Sequence, residues 1–399
     1  MTLDPHIVEW LSLTTRWIHF IVGVAWIGAS FYFNWLEGHL ERQGDKPPGV
    51  AGDIWSVHGG GFYHAMKYEV APPKLPETLH WFKWEAYATW LSGVTLMIFV
   101  YYLNPLVYMV DPSVMPLSGV AAVAIGIASM VIGWLVYDAL CKSALGARPG
   151  VLAAVGFVLV VLATFVLTQL LSGRAAFLHI GAMLGTIMVA NVAHVIIPNQ
   201  RKLVDALGSG GTLDPELGKQ GLLRSRHNNY ITLPVLFLMI SNHYPSTYSH
   251  AHSWLIMAAL VLIGVGVRHY FNLRHKGKHG HWMLVVAAAG MAAVAWFSLP
   301  ERSQAGVVAG AGAGVSDDAA FAIVEKHCVS CHAVAPTDAI FTVAPSGMVL
   351  DTIADMKRHA VKIQARSVDT NSMPLGNTTL MTDEERATLG AWIAGLDAQ

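Results

Sequence analysis

The chain has 399 residues, of which 54% are hydrophobic and 13% are charged, and its formal net charge is −1. Soluble domains carry about 25% charged residues, so this balance favours an integral membrane protein. The near-neutral charge gives no basis for a nucleic-acid partner, and three cysteines are too few for a disulfide framework. The N-terminus lacks a basic segment followed by a small-residue cleavage site, so we expect the first apolar segment to remain as a helix.

Eight apolar segments approach the length of about 20 residues that a helix needs to cross a bilayer. They cover residues 14–36, 84–105, 117–139, 150–172, 176–197, 229–244, 252–271 and 282–299. The sixth is the shortest and contains Pro234, which helices in membranes tolerate. The predicted fold class is all-α: a polytopic membrane bundle of about eight transmembrane helices, occupying residues 1–300.

Lysine and arginine are distributed unevenly between the loops. They gather in loops 37–83, 140–149, 198–228 and 272–281, whereas the alternate loops contain only Arg174. Positively charged loops stay in the cytoplasm. Both termini are therefore predicted to lie on the periplasmic side of a bacterial inner membrane, with membrane lipid around the bundle.

The loop at residues 37–83 is long for a membrane connection and contains WSVHGGGFYHAMKYEV. Its consecutive glycines allow the backbone to approach a ligand, and its tryptophan and phenylalanine residues offer flat surfaces to a heteroaromatic ring. The predicted catalytic residues here are His58 and His64 as bases and Lys67, or Lys83 in its place, as the contact to an anion. The alternative is an amphipathic loop that rests on the membrane interface.

Several of the 19 histidines fall in or beside the apolar segments, where ionisable side chains are costly and often functional. His179 and His194 share one segment and are separated by about 22 Å along a helix. That helix would present an imidazole near each membrane face. His19, His179 and His194 are predicted as ligands of one or two b-type haems. The alternative is that each histidine hydrogen-bonds a neighbouring helix.

The segment EKHCVSCHAV contains Cys328, Cys331 and His332 in a C-x-x-C-H pattern. Two thiols at this spacing attach covalently to the vinyl groups of one haem c, and the adjacent histidine supplies the proximal iron ligand. A Gly- and Ala-rich stretch at 301–315 is predicted to be a flexible linker. It leaves residues 316–399 as a small soluble domain.

The rest of this domain has the pattern of a small class I cytochrome c. Ser316 is the predicted start of one helix, and Thr382 with Glu385 forms a predicted capping box for the last one. Such a domain needs a second axial ligand to the iron, usually a methionine. Met373 is the predicted ligand, because the proline and glycine that follow it hold its loop in place. The competing candidates are Met348, Met356 and Met381.

Four segments of the first 300 residues carry a resemblance to a known family: RWIHFIVGVAWIGASFYFNWLE, WSVHGGGFYHAMKY, LHWFKWEAYATWLSG and NVAHVIIPNQRKLV. With them the chain closely resembles the bacterial integral-membrane urate oxidase family. Members of that family end in a cytochrome c domain, as CVSCH and SMPLGN indicate for this chain. The resemblance covers essentially the whole chain. It implies that urate is the substrate, that 5-hydroxyisourate is the product, and that electrons pass to the cytochrome rather than directly to oxygen.

On this resemblance we expect an oxidoreductase that reduces its own haem c with urate and passes the electrons to a soluble cytochrome c or a terminal oxidase. The face that binds urate stays open, because a cytoplasmic site needs carriers across about 30 Å of bilayer and an outer site does not. Two other functions also stay open. One is a quinol- or alcohol-linked dehydrogenase with a fused cytochrome c, and the other is a membrane anchor and electron relay for a separate dehydrogenase subunit.

Overall fold

The computed structural model describes residues 5–299 and 314–396. It is mostly helical, with 68% helix and 5% strand, and all of its named strand residues lie in one hairpin. The predicted linker at 301–315 lies outside the described residues except for its last two positions. The helical prediction is therefore confirmed for most of the chain, and the hairpin is a departure from it.

The first part of the chain forms a bundle of helices with short irregular connections. Its helices are α1 Pro5–His39, α2 Trp84–Met97, α3 Pro105–Tyr108, α4 Gly119–Lys142, α5 Pro149–Thr168, α6 Gly173–Asn191, α7 Ile197–Gly208, α8 Pro215–Ile240, α9 Pro245–Tyr248, α10 Ser253–Arg274 and α11 Trp282–Phe297. Wider π-helical turns extend α2 through Ile98–Tyr102 and join α6 to α7 through Val192–Ile196.

Each of the eight predicted apolar segments overlaps a helix of this bundle. Among residues 5–299 and 314–396, five stretches are long and apolar enough to cross a membrane: His6–His39, Gly119–Lys142, Pro149–Thr168, Gly173–Gly208 and Ser253–Arg274. The other three segments fall on α2, α8 and α11. The regular part of α2 has 14 residues and α11 has 16, while α8 is polar through its first half.

Helix α6 is the centre of the bundle and packs against α4, α5 and α8. Glycines allow the backbones to approach closely, as small residues do between apolar helices. A Cβ added at Gly133 would lie 2.4 Å from Met183 Cγ, and one added at Gly181 would lie 2.9 Å from Leu238 Cβ. Phe177, in the same helix, is fully buried in the largest hydrophobic core.

The loop between α1 and α2 contains an antiparallel hairpin of β1 Val50–His58 and β2 Gly61–Tyr68. Gly59 and Gly60 form its turn, with φ of +56° and +81°. A two-residue hairpin turn with positive φ at both positions requires glycine or asparagine. These two glycines thus serve to reverse the chain, and the all-α prediction was wrong for this loop because alternating apolar residues flank a glycine turn.

The C-terminal residues form a separate small core from α12 Asp317–His327, α13 Ile353–Arg358, α14 Ala360–Ile363 and α15 Asp383–Leu396. The predicted caps are confirmed. Ser316 Oγ accepts a hydrogen bond from the Ala319 amide at 3.2 Å. Thr382 and Glu385 bond each other's backbone amides at 3.2 and 2.8 Å, which is a capping box.

The C-terminal unit packs against α3 through the short turn Leu375–Asn377. A Cβ added at Gly376 would lie 2.6 Å from the carbonyl oxygen of Val107, so the two backbones are in direct contact. A cleft of about 340 Å³ lies beside this contact. Because α2 runs from the hairpin to α3, we call the two ends of the bundle the hairpin end and the α3 end.

Candidate functional site

The C-x-x-C-H segment follows α12 directly, with Cys328 at the end of that helix. Cys328 and Cys331 are both free thiols, and burial raises the pKa of Cys328 to about 12. His332 Nδ1 lies 2.9 Å from the carbonyl oxygen of Met348. A carbonyl only accepts hydrogen bonds, so Nδ1 carries the proton and Nε2 is the nitrogen left for a metal, which is the usual arrangement of a ligating histidine.

The four candidate methionines occupy different environments. Met356 and Met381 are buried in the core of the C-terminal unit, at 0% and 3% exposure. Met348 packs on the edge of this core. Met373 lies in a half-buried loop outside it. Of the four, Met373 is therefore the methionine that is not part of the hydrophobic core.

Backbone hydrogen bonds fix the loop that carries Met373. Its amide donates to the carbonyl oxygen of Arg366 at 2.9 Å. Its own carbonyl accepts a hydrogen bond at 2.7 Å from Arg386, which also donates to Ser367 O. Arg386 is only 6% exposed. Two thiols, an imidazole with Nε2 available and a thioether on a fixed loop form a donor set that fits haem c.

Within residues 5–299 and 314–396, no group of three or more His, Cys, Asp or Glu side chains is arranged to hold a metal ion. The iron centre predicted for this chain needs only the two axial ligands, because a porphyrin supplies the other donors.

The three predicted catalytic residues all lie on the hairpin. His64 Nε2 is 2.6 Å from Asp53 Oδ2, and its ring stacks on Trp55 with centroids 4.3 Å apart. Asp53 also accepts a hydrogen bond from Lys46, and these two bonds hold the pKa of its carboxyl below the usual range. The hairpin and the segment before it thus form a cluster of His64, Asp53 and Lys46 that the sequence pattern did not predict.

The strand register separates these residues. His64 pairs with Trp55 and shares its face of the hairpin, whereas His58 pairs with Gly61 and Lys67 with Gly52 on the opposite face. His58 and Lys67 then lie about 20 Å apart along the strands. Lys67 Nζ forms an ion pair with Glu37 at 2.5 Å. The fold does not bring His58, His64 and Lys67 into one site, and their catalytic roles stay predictions.

The predicted haem b ligands lie in three different settings. His19 Nδ1 is 3.0 Å from the Thr89 carbonyl oxygen, between α1 and α2. His179 is fully buried; its Nδ1 is 2.8 Å from its own helix's Ala175 O and its Nε2 is 3.2 Å from the Tyr102 hydroxyl. His194 lies beside Trp134. His19 and His179 thus share the Nδ1-to-carbonyl arrangement of His332, and the three stay predictions.

A buried polar network lies at the hairpin end between α4, α6 and α8. Arg224 is 4% exposed, forms an ion pair with Asp138 at 2.7 Å and donates to Asn191 Oδ1 at 3.3 Å. Asn191 also bonds Asn228 at 2.8 Å, and Tyr137 lies under the Arg224 guanidinium. The positive charge of Arg224 is therefore balanced by the carboxylate of Asp138 within the bundle.

A second buried arginine lies on the other side of α8. Arg268 of α10 is 4% exposed, and its guanidinium carbon is 4.0 Å from the centroid of the Phe31 ring. Its Nε donates to Asn229 Oδ1 at 3.1 Å. Among the ionisable residues inside the apolar segments, only histidines were predicted to be functional. Arg268 lies within the predicted segment 252–271, so the same argument about the cost of an ionisable side chain in a membrane would have found it.

Comparison with known protein families gives one match that bears on the whole bundle. A family model described as Urate oxidase N-terminal matches residues 5–299. Comparisons with curated proteins and with solved structures gave no match. The matched region includes the hairpin, the buried arginines and every helix of the bundle, and it ends before the C-terminal unit. It covers well over half of the chain, so this protein belongs to the urate oxidase N-terminal family.

Proposed function

We propose that this protein is a membrane-bound urate oxidase that forms 5-hydroxyisourate and passes the electrons to a haem c held by its C-terminal unit. The family match over residues 5–299 supports urate as the substrate. The observation that carries the electron-transfer half is the geometry of His332, whose Nδ1 is fixed by the Met348 carbonyl next to two free thiols.

The residues that would hold the haem are all in the C-terminal unit. Cys328 and Cys331 would form the thioether bonds, and His332 and Met373 would be the axial ligands. Haem c supplies a centre that accepts one electron at a time. Arg386 has a positioning role, since its hydrogen bond to the Met373 carbonyl holds the thioether loop in one conformation. A soluble cytochrome c or a terminal oxidase would be the next electron acceptor.

A membrane location is part of the proposal. In the described part of the chain, five helical stretches are long and apolar enough to cross a bilayer, and many large apolar side chains on α1 and α4 are exposed. The hairpin end carries the lysine- and arginine-rich loops, so we place it in the cytoplasm and the α3 end in the periplasm. With this orientation the C-terminal unit lies on the periplasmic side of a bacterial inner membrane.

The reaction balances as urate plus water giving 5-hydroxyisourate, two electrons and two protons. The chain must therefore accept two protons and hand on two electrons in single steps. His58, His64 and Lys67 of the hairpin keep their predicted roles as bases and anion contact only as separate candidates, because His64 lies on the opposite face from the other two and Lys67 is ion-paired to Glu37. A further candidate base is Glu85 at the start of α2, where Oε2 is buried without a hydrogen-bond partner in the described part of the chain.

Carriers between a cytoplasmic site and the C-terminal unit are also proposed, in the form of one or two b-type haems on His19, His179 and His194. Two of these, His19 and His179, have the Nδ1-to-carbonyl bond that a ligating histidine usually makes. That bond directs Nδ1 of each ring away from a metal, but Nε2 of His179 is 3.2 Å from the Tyr102 hydroxyl and would have to give up that contact to bind iron. A b-type haem between helices would offer one-electron steps along the bundle.

An anaerobic reduced-minus-oxidised spectrum of the purified protein tests the function. We expect added urate to reduce the c-type haem without oxygen, and a pyridine haemochrome assay to detect b-type haem as well. A haem c that stays ferric with urate but is reduced by dithionite would refute urate oxidation by this chain. A spectrum that contains only c-type haem would remove the b-haem carriers and leave the rest of the proposal in place.

A further inference from the structure

We propose that Phe31, Asn229 and Arg268 form the binding site for the purine anion, an inference that rests on urate oxidation as the proposed function. These three residues come from α1, α8 and α10, which meet near the hairpin end. Arg268 lies about 9 Å along α10 from the end of that helix. The site is thus inside the bundle but close to its cytoplasmic face.

The first reason is that two buried hydrogen-bond donors have no partner. Arg268 Nη2 and Asn229 Nδ2 are both buried and make no hydrogen bond within the described residues. The orientation of the Asn229 amide is fixed, because its Oδ1 accepts from Arg268 Nε, which can only donate. Asn272 donates to the same oxygen at 2.8 Å. Buried donors are nearly always paired, so two neighbouring unpaired donors indicate a missing acceptor.

The second reason is charge. The two buried arginines of the bundle differ in their surroundings, since Arg224 has Asp138 at 2.7 Å. Arg268 has no carboxylate within 4.0 Å among the residues that the structure describes, and its hydrogen-bond partner Asn229 is neutral. A buried charge without a counter-charge is strongly unfavourable. An anionic ligand would supply that counter-charge.

The third reason is shape. The Arg268 guanidinium carbon lies 4.0 Å from the centroid of the Phe31 ring, and the N–H donors of a guanidinium point outward in its own plane. Urate is a flat anion near neutral pH, and its oxygen and nitrogen acceptors lie around its edge. An arginine and an asparagine with free N–H groups match two neighbouring acceptors on such an edge. A haem propionate offers the same charge and acceptors, and the test below distinguishes the two sources.

Asn229→Asp in the full-length holoprotein is the decisive variant. It keeps the size of the side chain and places a carboxylate beside Arg268, so it satisfies the arginine internally and repels an anionic ligand. A purely structural role for Asn229 would be preserved or improved by this change. Arg268→Gln is the second variant, since it removes the charge, and Arg274→Gln is the control because Arg274 is exposed on the same helix.

Two measurements are made on each protein: binding of radiolabelled urate to the ferric form by equilibrium dialysis, and the KM for anaerobic haem c reduction. We expect Asn229→Asp and Arg268→Gln to weaken both by about tenfold to a hundredfold, as loss of a charged hydrogen bond does. Arg274→Gln should match the wild type. Reduction by dithionite should be complete in every protein.

The outcomes separate the two proposals. Wild-type protein that binds urate without reducing its haem would refute the proposed function, while the variants' binding would still decide the site. Equal urate binding by wild type and Asn229→Asp would overturn the site alone. Loss of b-type haem from Asn229→Asp, seen in a pyridine haemochrome assay, would assign these donors to a haem propionate and overturn the purine site. Wild-type protein that does not bind urate would overturn both.

Discussion

Under the proposed function, the contact between Gly376 and α3 predicts that the C-terminal unit must dock in one position for electrons to reach it. Gly376→Ala tests this, since the new Cβ would lie 2.6 Å from Val107 O and 3.1 Å from Leu106 O. Both atoms belong to backbone and cannot rotate away. Restoring an ordinary contact of 3.4 Å requires the two surfaces to separate by roughly 0.8 Å.

Gly347→Ala is a matched control for the backbone. Gly347 has a φ of +62°, close to the +65° of Gly376, but nothing lies within 4 Å of its Cβ position. Both substitutions therefore cost about 1–2 kcal/mol for a left-handed residue with a side chain. Only Gly376→Ala adds the clash with α3, which by analogy with overpacking costs about a further 1–3 kcal/mol.

The assay is stopped-flow reduction of the haem c by urate without oxygen. A further cost of about 1–3 kcal/mol lowers the docking equilibrium constant by about fivefold to 150-fold, so we expect Gly376→Ala to slow urate-driven reduction by about tenfold relative to Gly347→Ala. Dithionite, which reaches the haem from solution, should reduce both variants at the wild-type rate. Equal urate-driven rates in the two variants would show that this contact does not position the haem for electron transfer.

Three further predictions concern buried or capped charges. Arg386→Met removes hydrogen bonds to two carbonyls, including that of Met373, and should lower the free energy of unfolding in guanidinium chloride by about 3 kcal/mol. It should also weaken the long-wavelength absorption band expected of a methionine–iron bond. The hydrogen bond from Lys326 is the main cause that lowers the pKa of Glu385 from 4.5 to about 2. The contribution of Glu385 to folding stability should therefore be complete above pH 4.5 and be lost as the pH falls toward 2. Glu385→Gln should flatten this pH dependence when unfolding is measured across that range. Asp138→Asn leaves Arg224 charged without its carboxylate partner and should lower the free energy of unfolding by about 3–5 kcal/mol, measured by thermal unfolding. The double variant Asp138→Asn with Arg224→Met should recover most of that loss.

Local signals in the sequence were sufficient for the helices and their caps. Ser316 and the Thr382–Glu385 pair were predictable because a cap depends on residues within one turn of each other. The hairpin also had a local signal. Two glycines between alternating apolar residues predict a tight turn, but the triple glycine was interpreted as a ligand contact, and so the strands were missed.

The buried site at the hairpin end could not be predicted in the same way. Asn229 and Arg268 are 39 positions apart and belong to different helices. Hydrophobic periodicity predicts which face of a helix is buried, but it carries no information on which helix covers that face. The same limit applies to Asp138 and Arg224, which are 86 positions apart. Their ion pair depends on α4 and α8 both packing against α6.

The proposed purine site and the C-terminal unit lie at opposite ends of the bundle, which constrains how electrons travel. Arg268 is about 22 Å along α10 from the α3 end. Near the α3 end, that path contains a series of aromatic rings: the His179 and Tyr101 ring centroids are 6.3 Å apart, and those of Tyr101 and Tyr108 are 5.7 Å apart. Tyr108 ends α3, the helix on which the turn at Gly376 rests. His179 is thus the predicted haem ligand that lies between the buried part of the bundle and the contact of Gly376 with α3. Under the proposed function, loss of the carrier at His179 and loss of the Gly376 contact interrupt the same route at two points, so a variant with both changes should reduce its haem more slowly than either single variant.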